Sequence, residues 1–299
     1  MPYVIDKANI LNNNKLSQRS ILIKDNRIDS IQPEVKNCSY IKMDVHPYVM
    51  TPSFVVSDTN FSLSKSYSDL KNYFTEHLIK KGCTILLTYI HISSEGEMMT
   101  KLKEMKKQLL NSPIDYLIAI KIPLKLLTPS FITTCKQKRF PAIFVELADL
   151  DELSSKAWSW IRQAMFPSKI PIIPCLAGES KKKRDALAAN WEEIVKNEKI
   201  NGILGEIQEN IPLSRDIVNK IGLLPQRAGL MHGGELSYNL YLNGSEIMNV
   251  DTESLFHYHR DRLMVTVHKG KVVRSGNEVF YMPGFGEHIT IQTSSYFSF

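Results

Sequence analysis

The sequence predicts an α/β protein, a truncated TIM-like (βα) barrel of about six units inserted in a split antiparallel β-sandwich. Three observations carry this reading. Strand-like runs crowd both ends of the 299-residue chain. Strand and helix periods alternate across its middle. That middle is too short for eight strand–helix units.

Residues 3–10, 20–24, 27–32 and 40–44 are β-rich and separated by polar, turn-forming clusters. Asp25-Asn26 lies between two of these runs, and both residues tolerate positive φ, so it marks a two-residue hairpin. From about residue 51 the texture changes. Apolar runs at 54–56, 84–89, 116–122, 142–147, 170–176 and 202–207 suit buried parallel strands. Between them lie stripes of helical period. Leu70, Tyr73, Phe74, His77 and Leu78 form the first and stop at Gly82, a natural helix terminator. Met98, Leu102, Met105 and Leu109 form the second. The third is Leu153, Ala157, Trp160, Ile161 and Ala164, and the fourth is Leu187, Trp191, Ile194 and Val195. Strands alternating with helices imply right-handed βαβ units. After Gly222 strands return at 237–242, 246–250, 262–268, 271–275 and 278–281, with Lys269-Gly270 as a hairpin turn.

The central stretch, 51–221, offers about 170 residues, where a full (βα)8 barrel takes about 250. Six units fit. The expected organisation is therefore a β-sandwich from 1–50 plus 222–285, a shortened barrel over 51–221, and an aromatic tail over 286–299. An incomplete barrel leaves two open sheet edges, which a helix, a terminus or a second subunit must cover. Self-association is one expected answer.

Hydrophobic residues make up 43% of the chain and charged residues 23%, which supplies a full core and excludes a disordered polypeptide. A net charge of +6 over this length permits nucleic acid without indicating it. The four cysteines, Cys38, Cys83, Cys135 and Cys175, form no CxxC, so neither a zinc knuckle nor a disulfide framework is signalled. No leader pattern opens the chain and no uninterrupted apolar stretch is long enough to span a membrane. A cytoplasmic protein with no membrane association is expected.

Three passages carry a family resemblance. The first runs from Ile21 to Ile31, with Met43-Asp44 and then Thr51-Pro52-Ser53-Phe54-Val55. The second is Lys80-Lys81-Gly82-Cys83-Thr84, followed by Ser112-Pro113-Ile114-Asp115-Tyr116. The third comprises 222–234, with Pro225-Gln226-Arg227 at its centre, and 262–273. Together they resemble the amidohydrolase superfamily, and within it the dihydroorotase/dihydropyrimidinase group. The resemblance implies a composite β domain around a metal-dependent hydrolase barrel. It also implies an HxH on the first barrel strand, a carboxylated Lys on the fourth, one His each on the fifth and sixth, and an Asp on the eighth.

The departures decide the functional expectation. Asp58 and Asn60 occupy the two His positions of the first strand. Val145 or Glu146 replaces the Lys, Cys175 or a neighbour replaces the fifth-strand His, and the sixth strand has no His. Neutral amides and hydrocarbon are feeble zinc ligands. No catalytic residue, metal ligand or cofactor is assigned, and Asp58, Asn60, Glu146, Cys175 and Glu206 are expected as the lining of a vestigial pocket. The expected protein has lost metal-dependent activity and acts as a non-catalytic binding or partner subunit. The alternative is an active hydrolase of amide or cyclic-amide C–N bonds, with Asp58, Glu146 or Glu206 binding an oxygen-liganded metal.

Three further features have a functional and a plain reading, and two aromatic ones bear on packing. His257 and His259 could converge on a metal from a strand, or be two solvated histidines. Cys175 could be a nucleophile, or an inert buried thiol. The run Lys181-Lys182-Lys183-Arg184 could meet an anion at a helix start, or form a solvated face. Of Trp158 and Trp160, two apart on a helix, only one can face the sheet, and the stripe selects Trp160 as core. The tail Tyr296-Phe297-Ser298-Phe299 is aromatic enough to be docked rather than free. The ligand, if a small molecule, is unspecified.

Overall fold

The computed structural model describes residues 1–12, 15–35, 39–58, 66–178, 180–247 and 250–297. The chain opens with β1 (Tyr3–Asn12), β2 (Lys15–Lys24), β3 (Arg27–Gln32), β4 (Ile41–Asp44) and β5 (Tyr48–Pro52). Next come β6 (Phe54–Ser57), α1 (Tyr67–Tyr73), β7 (Cys83–His91), α2 (Met98–Gln108), β8 (Asp115–Pro123) and α3 (Pro129–Gln137). The middle continues with β9 (Ile143–Leu147), α4 (Leu150–Ser155), α5 (Trp158–Met165), β10 (Ile172–Leu176), α6 (Lys181–Asn197) and α7 (Arg215–Ile221). The chain returns through β11 (Tyr238–Leu242), α8 (Thr252–Tyr258), β12 (Leu263–His268), β13 (Lys271–Ser275) and β14 (Glu278–Val279).

The terminal strands form one mixed, mainly antiparallel nine-stranded sheet rather than two packed sheets. Its path is β14-β13-β12-β11-β5-β1-β2-β3, with β4 beside β1. A bulge on β1 explains the branch: Lys7 adopts φ 49°, and the register of β1 against β2 slips between Ile5 and Ala8. Residues 3–6 then pair with β4, and Asn9 and Ile10 with β5. Bulges bend strands in this way. Both expected hairpins form, with Asp25, Asn26, Lys269 and Gly270 all at positive φ. One apolar cluster of this sheet gathers Ile5, Ile21, Ile23, Ile28, Met50 and Leu240.

The middle of the chain curls into a parallel half-barrel of five strands, in the order β10-β9-β8-β7-β6. The expected sixth strand is absent. Residues 202–207 contribute a single bridge, Ile172 to Gly202, because Gly202 and Gly205 interrupt the run. A side chain at Gly202 would come within 2.6 Å of Val195. Both edges are nonetheless covered by the chain itself. Ile172 donates to Asn201 O and accepts from Ile203 N along β10. Asn210 and Leu213 donate to Ser57 O and Val55 O along β6. Residues 201–213 therefore run from one edge to the other.

Strand alternation sorts the side chains. Val55, Ile85, Leu87, Leu117, Ala119, Phe144 and Ile173 share the inner cluster with Ile221, Leu223, Ile289 and Ile291. The outer cluster gathers Leu86, Ile118, Ile120, Val145 and Ile172 with Leu102, Met105, Phe131, Ile161 and Trp191 of the helices. Each such fully buried side chain contributes about 1.5–3 kcal/mol relative to exposure. As far as Phe297, the last described residue, the tail is docked: Asn219 Nδ2 donates to Phe297 O at 2.6 Å, and Phe297 N donates to Asn219 Oδ1 at 3.1 Å.

Gly82 caps the first helical stretch in the left-handed region at φ 80°. Its missing side chain leaves room for Asn239, whose Nδ2 donates to Gly82 O at 3.0 Å. The third stripe proves to be two helices. Lys156 is extended, so α5 restarts with a new face. Trp158, not Trp160, is the core ring: Trp158 is 5% exposed and Trp160 62%. Residues 246–250 form no strand among their described positions, and His257 lies in α8. Residues two apart on a helix point to different sides, so the HxH does not converge as a strand would make it. No helix among the described residues is long and apolar enough to cross a membrane.

Candidate functional site at the mouth of the half-barrel

The inner faces of four consecutive strands end in polar side chains. On β7, Ile85 and Leu87 give way to Tyr89 and His91. On β8, Leu117 and Ala119 give way to Lys121. On β9, Phe144 is followed by Glu146, and on β10, Ile173 by Cys175. Parallel register sets these ends side by side, pairing His91 with Lys121 and Cys175 with Glu146. Tyr89, Lys121, Phe144, Glu146 and Cys175 line a cavity of ≈ 250 Å³ together with Glu206, Ile207 and Glu209.

Two of the three acids that line it, Glu146 and Glu206, hold fixed partners. Lys121 Nζ lies 3.0 Å from Glu146 Oε1, and His91 Nε2 lies 3.7 Å from the same oxygen. The Lys121 ammonium also sits 5.5 Å from the centre of the Tyr89 ring, which stands 5.1 Å from Phe144. Burial opposes the lysine's charge. The hydrogen bond to Glu146, with Tyr89 and Cys175 nearby, outweighs it and raises the pKa. Glu206 accepts from Leu176 N and from Arg184 Nη2, each at 2.7 Å. Burial pushes the Cys175 thiol up to about 11, which leaves it protonated and a poor nucleophile at neutral pH.

Scans against known protein families and against curated proteins find no match. Solved structures do match. A D-hydantoinase (dihydropyrimidinase) from Thermus sp. superposes with TM-score 0.68 at 10% identity, covering 98% of this chain and 100% of that one. A D-hydantoinase from a Bacillus sp. AR9 gives 0.67 at 10%, covering 98% and 99%. An L-hydantoinase (dihydropyrimidinase) from Arthrobacter aurescens gives 0.63 at 11%, covering 96% and 99%. The chain has an amidohydrolase-like fold. At such identities the likeness is one of fold alone.

In an amidohydrolase-like barrel of this kind the strand C-termini are where side chains from several strands converge. Three of the donors there, Glu146, Glu206 and Cys175, are poorly disposed to hold a hydrolytic metal. A divalent ion needs carboxylate or imidazole lone pairs free to coordinate. Glu146 holds an ammonium, Glu206 holds a guanidinium and a backbone N–H, and the Cys175 thiol resists ionisation.

Three of the five expected pocket residues meet in the cavity: Glu146, Cys175 and Glu206. Asp58 does not line it. Val55 and Ser57 alternate with Val56, which packs outward with Tyr73, and Asp58 accepts from the Tyr73 hydroxyl of α1. Burial, followed by this bond, raises the Tyr73 pKa. Asn60 lies outside the described residues. Sequence reasoning missed Lys121, His91 and Tyr89. A detectable signal existed for Lys121, a lone charge at the end of the alternating positions Leu117 and Ala119.

A second charged constellation lies at the opposite end of β8. Asp115, fully buried, receives Lys269 Nζ at 2.7 Å, Arg227 Nη1 at 2.8 Å and Glu287 N at 2.9 Å. His268 Nε2 is 3.5 Å from Asp115 Oδ1, and Arg227 also meets Glu235 at 3.1 Å and Glu287 at 2.6 Å. Asp115, Glu235 and His268 bring three donor atoms within 4.8 Å of one another. Two fixed cations already neutralise them, so this group suits a structural role. Burial works against the Asp115 charge, but His268 and Lys269 prevail and lower its pKa. Burial raises that of Glu235 against the pull of Arg227.

Proposed function

We propose that this protein is a non-catalytic member of the amidohydrolase-like fold that acts by binding, as the partner subunit of another protein. One observation supports this above the others: the Lys121 ammonium is held by Glu146 at the centre of the barrel mouth. A permanent internal cation there opposes a divalent ion electrostatically, since like charges a few ångströms apart repel by several kcal/mol in a partly buried site. It also consumes the carboxylate that would replace the ligand of the fourth strand.

The test is a metal analysis of freshly purified protein, paired with ring-opening assays on hydantoin and dihydrouracil in the presence of added zinc or manganese. The reading expects trace metal and no turnover. Near-stoichiometric zinc or manganese, together with hydrolysis abolished by Glu146→Gln, would overturn it and restore the hydrolase.

A further inference from the structure

A groove lies at the other end of the barrel, where α5 and α6 finish and the tail docks. It encloses ≈ 860 Å³ and is lined by Trp160, Phe166, Arg162, Lys169, Lys199 and Lys220 among others. Trp160 and Phe166 are 62% and 73% exposed, although large aromatic rings ordinarily find cover. Among the described residues, Arg162, Lys169 and Lys199 pair with no carboxylate side chain. Asp216, the acid of the lining, is taken by Lys220 at 3.1 Å. Lys169 and Lys199 adopt left-handed φ of 43° and 52°, where glycine would be less strained.

We propose that this groove docks an acidic segment of a partner protein, with an aromatic or long aliphatic side chain seated against Trp160 and Phe166. Exposed rings with a charged rim are the anatomy of a protein hot spot, and an uncompensated basic rim selects carboxylates. A second copy docked face to face would bring six unpaired cations together. The proposal is independent of whether the barrel mouth is inert, so either can fail alone.

Because Trp158 and Trp191 are buried, emission from Trp160 reports on this groove. The full chain is titrated with a short fluorescein-labelled peptide of Asp and Glu around a central Phe, and with oligo-thymidine of equal length. The proposal expects saturable peptide binding with a change in Trp160 emission. It further expects a loss of about tenfold in affinity in Trp160→Ala and in Lys169→Glu/Lys199→Glu. The remote pair Lys181→Glu/Lys182→Glu should leave affinity unchanged. Absence of saturable peptide binding, equal weakening by the remote pair, or tighter binding of oligo-thymidine would each overturn it.

Discussion

Lys269 Nζ lies 2.7 Å from Asp115 Oδ1 and so ties the hairpin turn after β12 to the first residue of β8. This contact joins the nine-stranded sheet to the half-barrel. Its members come from separate passages of the sequence: Asp115 from the phrase at 112–116, Arg227 from 222–234, and His268-Lys269 from 262–273. The phrases that carry the family resemblance therefore converge on a buried ionic joint, not on the barrel mouth.

Removing Asp115 should be costly. Its side chain is fully buried while Arg227 and Lys269 are 24% and 19% exposed, so Asp115→Ala leaves two half-buried cations without their common carboxylate. Losing one partner of a buried network typically costs about 3–5 kcal/mol, and partial solvation of the cations favours the lower end. Urea unfolding measures it. An effect below about 1 kcal/mol would show the joint to be dispensable, as surface pairs are.

Stability should also fall in mild acid through His288. This ring stands beside Tyr116, its centroid 5.5 Å away. Burial, with Lys106 nearby, lowers its pKa from 6.5 to about 4. Between those values the unfolded chain binds a proton that the folded protein refuses. The stabilisation is therefore present above pH 6.5 and is lost as pH falls towards 4. His288→Gln should flatten that part of the stability–pH curve. The lowered Asp115 carboxylate acts in a separate window, below about 4. A curve unchanged by His288→Gln would refute the assignment.

Much of the fold was legible because its signals are local. The turns Asp25-Asn26 and Lys269-Gly270, the stop at Gly82, and the apolar runs of β7, β8 and β9 each depend on a few neighbouring residues. The failures share a different cause. The sixth strand was read from apolar content, which Gly202 and Gly205 interrupt. The Trp158–Trp160 choice assumed one continuous helix, and the extended Lys156 resets its face. At the site, places near the C-terminal ends of the strand runs point to Glu146, Cys175 and Glu206. Asp58 was lost because strand alternation turns it outward to Tyr73. Lys121 escaped because the family pattern has no position for it. Its partner lies on a neighbouring strand, a relationship that only the sheet register reveals.

The lysine makes a prediction of its own. In Lys121→Met the Glu146 carboxylate keeps His91 within reach and is released from its ammonium. The variant should bind Co2+ or Zn2+ in calorimetric titration, whereas the parent protein does not. Lys121→Met/Glu146→Gln should lose that binding again. The same substitution should cost about 1–2 kcal/mol in stability, because the pair is partly solvent-exposed. Equal metal affinity in parent and variant would remove Lys121 as the group that excludes the ion.

The two tryptophans separate packing from recognition. Trp158 is buried against Trp191, with ring centroids 5.6 Å apart, and its Nε1 donates to Leu153 O at 2.9 Å. Trp158→Ala should therefore destabilise the fold by about 3–5 kcal/mol, through an aromatic-sized cavity and an orphaned carbonyl. Trp160→Ala removes a ring that is mostly in solvent, and should shift stability by no more than about 0.5 kcal/mol. The fluorescence should move in the opposite sense to the stability: losing the exposed Trp160 removes the red-shifted emission, leaving the spectrum of Trp158 and Trp191. If Trp160→Ala proves the more destabilising change, the face of α5 is reversed and the aromatic groove proposed beside it is lost with it.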